Sequence, residues 1–368
     1  MAHGGVETIL VNWMKELRGS RIDVRLVCFT NPDGSEQPFL DACAREGIAV
    51  ATIPWSRRKP VFKAARALGR ILDEHRAEIL HTHNTYADLV ALACKPRRQL
   101  ALVSSVYVWS DFGWKRNVLQ AINKYALKLF DCVIAQCEAT RQELIRRGLR
   151  DATSRVVISG FEVEAATLEP PARAAGRAAR GITEETVLFA NVARCYPEKA
   201  QDLLLETFAE LAAREPHAHL WLFGTGPLEG DLKAQASSLG LDARVEFVGF
   251  APDIDTQLQL ADAQLHPSYA EGIPLAVCSG MAAGLPLVAS SVGGIPEMIT
   301  DDVNGLLVPG ADQPDFRRAF TAATKRIVRE PETRTRLGEA ARRFMREEYS
   351  MEAAMRQLFD TYAELLAR

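Results

Sequence analysis

Two stretches of this sequence place glycines and charged residues just past the ends of apolar runs. The first, PSYAEGIPLAVCSG (Pro267–Gly280), begins where the apolar run Ala263–His266 reads as the end of a strand. Gly272 lets backbone approach closely, and Pro274 fits the first turn of a helix, where its missing N–H is no loss. The amides around Gly272–Leu275, Ile273 among them, then form a helix N-terminus able to hold phosphate oxygens. Glu271 sits just before them. A carboxylate there would repel phosphate, so its chemistry is to accept hydrogen bonds from sugar hydroxyls. The second stretch, NVARCYPEKAQDLLLETFAEL (Asn191–Leu211), leaves a strand and enters a helix, with Arg194 and Lys199 five residues apart in the connection. Two cations beside strand ends suit a diphosphate leaving group, which gains negative charge as its bond to the sugar breaks. Either cation alone would read as a surface charge.

These residues need strands to carry them, and the chain alternates short apolar runs with amphipathic helical patterns throughout. Strands are expected near Val24–Phe29, Ala49–Ile53, Glu78–His81, Leu102–Ser105, Cys132–Ala135 and Val156–Ser159. Helices such as Glu7–Leu17 and Lys63–His75 fall between them. Residues 164–182, EAATLEPPARAAGRAARGI, have Pro170–Pro171 and an Ala/Arg/Gly composition that reads as a linker or exposed loop. A second series follows: Val187–Val192, His219–Phe223, Val245–Val248, Ala263–His266, Pro286–Ala289 and Gly305–Val308, with helices such as Asp202–Arg214 and Leu228–Leu239. Two such series predict two doubly wound α/β domains with parallel sheets, facing across a cleft, ligands lying beyond the carboxyl ends of the strands. The expected division is 1–163, a linker 164–182, 183–348, and a closing helix in 349–368 that packs back toward the first domain.

Composition narrows the function classes. At 368 residues the chain is long enough for two cores, and 48% apolar with 25% charged residues is ordinary for a globular protein. No run of 18 or more apolar residues and no basic-then-apolar leader is read, which predicts a cytoplasmic protein. The seven cysteines are scattered, never C-x-x-C, and sit in apolar runs, as reduced buried thiols would. No Asp-x-Asp cluster suited to a metal is visible. Charge is asymmetric: residues 1–160 hold 24 Lys and Arg against 16 Asp and Glu, a balance of +8, and the remainder stands at −11. A basic first domain facing a lipid surface or a phosphorylated acceptor would look this way, as would solvated Arg-rich helix faces. Val106–Phe130 sharpens that choice. It combines Trp109, Phe112 and Trp114 with Lys115, Arg116, Lys124 and Lys128, which suits either an anionic bilayer or a core helix with a solvated face.

Taken together, the two chemical stretches resemble the retaining glycosyltransferases of family 4, which have the GT-B fold of two Rossmann-like domains. The family pattern runs strand, G-R-x-x-x-x-K-G, a long gap, then S-x-x-E-G-x-x-x-x-x-x-E-A-x-A-x-G-x-P. The likeness covers nearly the whole chain. It takes in HGGVETIL (His3–Leu10), EILHTHN (Glu78–Asn84), FGTGPLEG (Phe223–Gly230) and GGIPEMITDDVNGLLVPGAD (Gly293–Asp312). The resemblance implies transfer of a sugar from a nucleotide-diphosphate donor to an acceptor hydroxyl with no metal and no cofactor. Bacterial polysaccharide, lipopolysaccharide or glycolipid assembly is the expected setting, with a lipid-linked sugar as acceptor, a possible peripheral membrane contact, and no nucleic acid. By the same resemblance Arg194 and Lys199 hold the diphosphate, and Glu271 holds the transferred sugar. Ile273, Pro274 and Leu275 lie near sugar and phosphates, and Gly4 and Gly5 close on the donor from the other domain. His83 lies near the reacting sugar or acceptor with His81 as its packed partner, and Gly224 belongs to the turn near the nucleoside. Without the family, the G-x-G-x-x-x-G spacing at Gly224 is not a dinucleotide fingerprint.

Three departures from the family matter. The second family glutamate, eight residues after Glu271, is Ser279 here. In relatives that carboxylate accepts both ribose hydroxyls; losing one charge-assisted hydrogen bond costs roughly 1.5–3 kcal/mol, about tenfold to a hundredfold in affinity. An atypical donor site is therefore expected. Family members usually carry a buried strand before the Gly-Gly turn, so Met1 reads as an internal methionine, and a sheet lacking that strand would leave ladder groups unpaired. Ala200 replaces a glycine after Lys199, which points to a slightly different turn. Two other function classes stay open: a nucleotide-sugar-binding subunit that has lost catalysis, and a sugar-nucleotide epimerase of similar fold.

Overall fold

The computed structural model describes residues 5–20, 22–55, 60–95, 99–107, 122–163 and 168–367. They divide into two compact α/β units, one of residues 1–160 with 351–368, the other of residues 161–350. In the first unit β1 (Leu26–Thr30) and β2 (Val50–Pro54) form a two-stranded parallel sheet. A separate four-stranded parallel sheet has the order β3 (Ile79–Thr82), β4 (Ala101–Val106), β5 (Cys132–Ala135), β6 (Ser154–Val156). Among the described residues β1 pairs only with β2, and β3 only with β4. Side chains bridge where the ladders do not: Val27 and Phe29 of β1 and Leu80 of β3 pack on one core of Ile53, Trp55, Leu68, Leu72, Val90 and Leu102.

The last strand of this unit departs from expectation. The run Val156–Ser159 was expected to be the strand, but the ladder ends at Val156. Apolar composition there reports burial rather than pairing. Val157 donates to the Ala135 carbonyl at 3.0 Å and Ile158 to the Gln357 Oε1 at 3.1 Å, while the Ser159 carbonyl accepts from Trp13 Nε1 at 2.6 Å. Gln357 lies on the closing helix Met351–Leu366, which belongs to the first unit.

The second unit is a six-stranded parallel sheet. Its strands are β7 (Val187–Val192), β8 (Ala218–Phe223), β9 (Val245–Gly249), β10 (Ala263–His266), β11 (Leu287–Ser290) and β12 (Leu306–Val308), in the order β12-β11-β10-β7-β8-β9. Strands buried on both faces read as continuous apolar runs, and the period of two sorts them into two cores. Val187 and Phe189 join Leu220 and Leu222 on one side, whereas Leu188 and Ala190 join Trp221 and Phe223 on the other. Strand order reverses between β7 and β10, and ligands of such sheets bind beyond the strand ends at that reversal. No helix among the described residues is long and apolar enough to cross a membrane.

Residues 164–182 are not simply a linker: they contain the helix Pro170–Ala179, in the second unit. The Pro-Pro pair that reads as a breaker occupies the first turn, where proline is tolerated, and the alanines then favour the helix. Its anchor is Arg177, 7% exposed, which reaches Asp262 at 2.9 Å and donates to the carbonyls of Leu260, Thr183 and Thr186. Arg173 binds the other Asp262 oxygen at 2.7 Å. Removing one member of a buried ionic network strands the rest, so Arg177→Ala is expected to cost on the order of 3 kcal/mol in urea unfolding. A loss below about 1 kcal/mol, the scale of an exposed pair, would show the helix to be peripheral.

Candidate functional site

The loops that follow β7 and β10 meet at the strand reversal. Lys199 ends a short 3-10 turn, Pro197–Lys199, and its Nζ reaches Glu271 Oε1 at 2.7 Å. The same Glu271 oxygen takes His266 Nε2 at 2.8 Å and Ser268 Oγ at 2.8 Å. His266 is the last residue of β10, and its Nδ1 is buried with no partner. Backbone contacts fasten the two loops: Tyr269 N–H donates to the Glu198 carbonyl at 3.0 Å, and Asn191 Nδ2 to the Leu265 carbonyl at 2.8 Å. Gly294 N–H donates to the Gly272 carbonyl at 3.0 Å. Gly293, at φ +56°, lies so close that any Cβ there would overlap the Glu271 carbonyl oxygen.

Electrostatics follow from this packing. Glu271 is 6% exposed on its side chain. Burial pushes its carboxyl up, but the hydrogen bond and charge of His266, followed by those of Lys199, outweigh burial and hold it at about 2. A carboxylate so fixed stays ionised and accepts hydrogen bonds only. The helix that follows is Leu275–Ala282, with Pro274 just ahead of it at the cap rather than in the first turn as expected. The first-turn amides lack partners within the helix by geometry: Val277 and Cys278 already donate to the Pro274 carbonyl, which leaves those of Leu275 and Ala276 without an intrahelical bond. Gly272 is buried, and Ile273 and Leu275 are half-buried.

Arg194 stands apart from this cluster. Its side chain is 69% exposed, 3.8 Å from Glu198 and 4.8 Å over the Tyr196 ring. Ala200, where a slightly different turn was expected, takes φ 50° and ψ 36°, the left-handed conformation that glycine favours, at a strain of roughly 1 kcal/mol. Gly224, at φ +113°, is required because a Cβ would overlap the Ala193 carbonyl, and its N–H donates to the Gly249 carbonyl at 2.7 Å. Ser279 is half-buried and faces Asp255 on the short helix Ile254–Leu258. Desolvation pushes the Asp255 carboxyl up, and the Ser279 hydroxyl pulls the other way.

In the first unit His83 follows β3, with Nδ1 2.8 Å from the Tyr107 hydroxyl. Burial pushes its imidazole down to about 4, so it is uncharged near neutral pH. His81 has both ring nitrogens taken, by Tyr362 at 2.7 Å and Ser105 at 2.8 Å, and its ring lies 4.3 Å from that of His83. Gly5 opens the helix Gly5–Glu16. Gly4 lies outside the described residues, as do Trp109, Phe112, Trp114, Lys115 and Arg116. Among the described residues no group of three or more His, Cys, Asp or Glu is arranged to hold a metal ion.

Both units match known protein families. Residues 173–344 match the family model described as glycosyl transferases group 1, and residues 4–160 that described as glycosyl transferase 4-like domain. The chain belongs to the family-4-type glycosyltransferases of GT-B fold. The D-inositol 3-phosphate glycosyltransferase of Kribbella flavida is 29% identical over 72% of this chain and 66% of its own length, just under two thirds. A GDP-mannose-dependent alpha-(1-6)-phosphatidylinositol monomannoside mannosyltransferase of Mycolicibacterium smegmatis is 27% identical over 92% of this chain and 89% of its own. The fold is that of HepE from Anabaena, solved in complex with UDP and glucose, at a TM-score of 0.83 and 20% identity, covering 98% of this chain and 96% of that one.

Lys199 and Glu271, both expected at the site, are in contact in this family-4 chain. His266 and Ser268, which complete the cluster, were not expected there. His266 and Ser268 flank Pro267, the first residue of the quoted stretch, but their types fit a strand end without any role. Glu271 also sets a pH dependence. Its carboxyl is depressed in the fold from an ordinary 4.5 to about 2. The stability this confers, on the order of 3 kcal/mol, is complete above about pH 4.5 and is lost as pH falls toward 2. The stability advantage of wild type over Glu271→Gln should therefore shrink as denaturation is repeated from about pH 5 down to about pH 3. A constant difference would mean that the carboxyl is not depressed.

Proposed function

We propose that this protein transfers a sugar, with retention of anomeric configuration, from a nucleotide-diphosphate donor to an acceptor hydroxyl without a metal ion. The carrying observation is the Lys199–Glu271 contact at the reversal of the second sheet, a cation and an ionised acid 2.7 Å apart beside a helix N-terminus. In this reading Lys199, Arg194 and the amides leading into the helix Leu275–Ala282 stabilise the charge that grows on the departing diphosphate. Glu271 accepts hydroxyl hydrogens of the transferred sugar. The bond between the anomeric carbon and the diphosphate oxygen breaks, the acceptor oxygen takes its place on the same face, and the acceptor proton passes to the leaving phosphate. Gly224 and Ser279 are assigned to the nucleoside end. His83, uncharged and hydrogen-bonded to Tyr107, is assigned to the reacting sugar or the acceptor.

The acceptor class we infer is a lipid-linked sugar or polyol, as in glycolipid or polysaccharide assembly at the inner face of a membrane. Support comes from the mannosyltransferase relative named for a phosphatidylinositol monomannoside, a lipid-linked acceptor; the relative named for D-inositol 3-phosphate supports a polyol acceptor without a lipid. Further support is the pattern after residue 121, where Ile122, Tyr125 and Leu129 are exposed at a helical spacing and Lys124 and Lys128 lie between them. Apolar side chains flanked by lysines suit an anionic interface.

A thermal-shift screen of UDP, GDP, ADP and their sugars tests the donor reading, and one base should raise the melting temperature. With that donor, Arg194→Ala and Lys199→Ala should each lower turnover by roughly tenfold or more, and EDTA should leave it unchanged. Chelator-sensitive activity would overturn the scheme. Separately, Tyr125→Ser/Leu129→Ser should release the protein from vesicles containing phosphatidylglycerol in co-sedimentation; retention equal to wild type would remove this surface from the membrane reading.

A further inference from the structure

The three hydrogen bonds that fix Glu271 all end on one oxygen. Lys199 Nζ, His266 Nε2 and Ser268 Oγ converge on Oε1 at 2.7, 2.8 and 2.8 Å, and no hydrogen bond from a described residue reaches Oε2. A carboxylate has about four lone-pair sites over its two oxygens. Saturating Oε1 therefore turns a symmetric acceptor into a directional one whose remaining capacity lies on Oε2. The three donors differ in what else they must do. Lys199 is a cation assigned to the diphosphate, so its bond to Glu271 competes with the donor substrate. Ser268 is itself braced, with its N–H donating to Ser290 Oγ at 3.1 Å. His266 is 1% exposed, sits on the strand rather than a loop, and has no partner other than Glu271 and, at 3.3 Å, Ser268.

We propose that His266 is the positioning residue of the donor-sugar site: its Nε2–H locks Oε1 of Glu271 from the rigid end of β10, so that Oε2 alone meets the sugar hydroxyls and stays aimed when Lys199 turns to the diphosphate. This rests on the reading of Glu271 as the sugar acceptor. The carboxylate accepts only, so Nε2 carries the donating hydrogen. Geometry of this kind governs turnover more than binding, because a reacting group misplaced by about 1 Å can cost a hundredfold in rate.

The test compares His266→Gln, whose amide nitrogen can reach the position of Nε2, with His266→Phe, which fills the space without a donor. Binding is measured for UDP, GDP, UDP-glucose and GDP-mannose, and turnover with whichever pair the wild type accepts. The expected result is that His266→Phe binds the nucleoside diphosphate as wild type does, loses about tenfold or more in affinity for the diphosphate sugar, and loses still more in kcat, while His266→Gln recovers most of both. Wild-type turnover in His266→Phe overturns the proposal. So does equal loss for diphosphate and diphosphate sugar, which marks a merely structural residue, or failure of His266→Gln to improve on His266→Phe. Should wild type bind none of the four nucleotides, the donor reading itself falls and His266 with it. Should wild type bind diphosphate and diphosphate sugar alike, only the sugar-facing role of Glu271 is lost.

Discussion

Burial of one carboxylate between two strand ends organises the second unit. An ion with 6% of its side chain exposed is costly unless charge and hydrogen bonds replace water. Around Glu271 the replacements come from three places in the chain: Lys199 after β7, His266 at the end of β10, and Ser268 in the loop between. None can move far without leaving the acid uncompensated. That constraint ties the β7 and β10 loops together where the sheet reverses direction, which is where open parallel sheets offer ligands a crevice.

Close backbone approach serves the same end. Gly293 allows its loop to lie against the Glu271 carbonyl, and Gly224 allows the turn after β8 to lie against Ala193. Each contact removes the space in which the site loops could rearrange. Ala200 shows the cost of the arrangement from the other side, since a residue with a Cβ holds a left-handed turn so that Lys199 can point at Glu271. Strain of this size persists where surrounding packing determines the backbone, and Ala200 is fully buried in the main core of the unit.

The first unit is built on a different economy. His81, His83, Tyr107, Tyr362 and Trp13 form a polar and aromatic layer around the end of β3, in which burial keeps His81 and His83 uncharged. An uncharged imidazole can donate and accept at once, which suits hydroxyl chemistry better than electrostatic capture of phosphate. The contrast is between a cation and an ionised acid at the second sheet's reversal, and uncharged rings in the first unit.

Strand identity was legible in the amino-acid order because buried parallel strands are continuous apolar runs; β5, β7 and β10 have the bounds that pattern implied. Lys199 and Glu271 were legible because a cation and an acid placed just past such runs have few structural uses. Three things were decided only by tertiary structure. The Ala/Arg segment became a helix because Arg177 found Asp262, a partner more than eighty residues away. Past Val157, whose N–H still reaches β5, the run after β6 left its ladder as side chains of Gln357 and Trp13 took the backbone groups of Ile158 and Ser159. His266 acquired its place because Glu271 turned back onto it. Local pattern reports which residues are buried; which buried polar group faces which is a matter of contacts distant in the chain, and no periodicity encodes them.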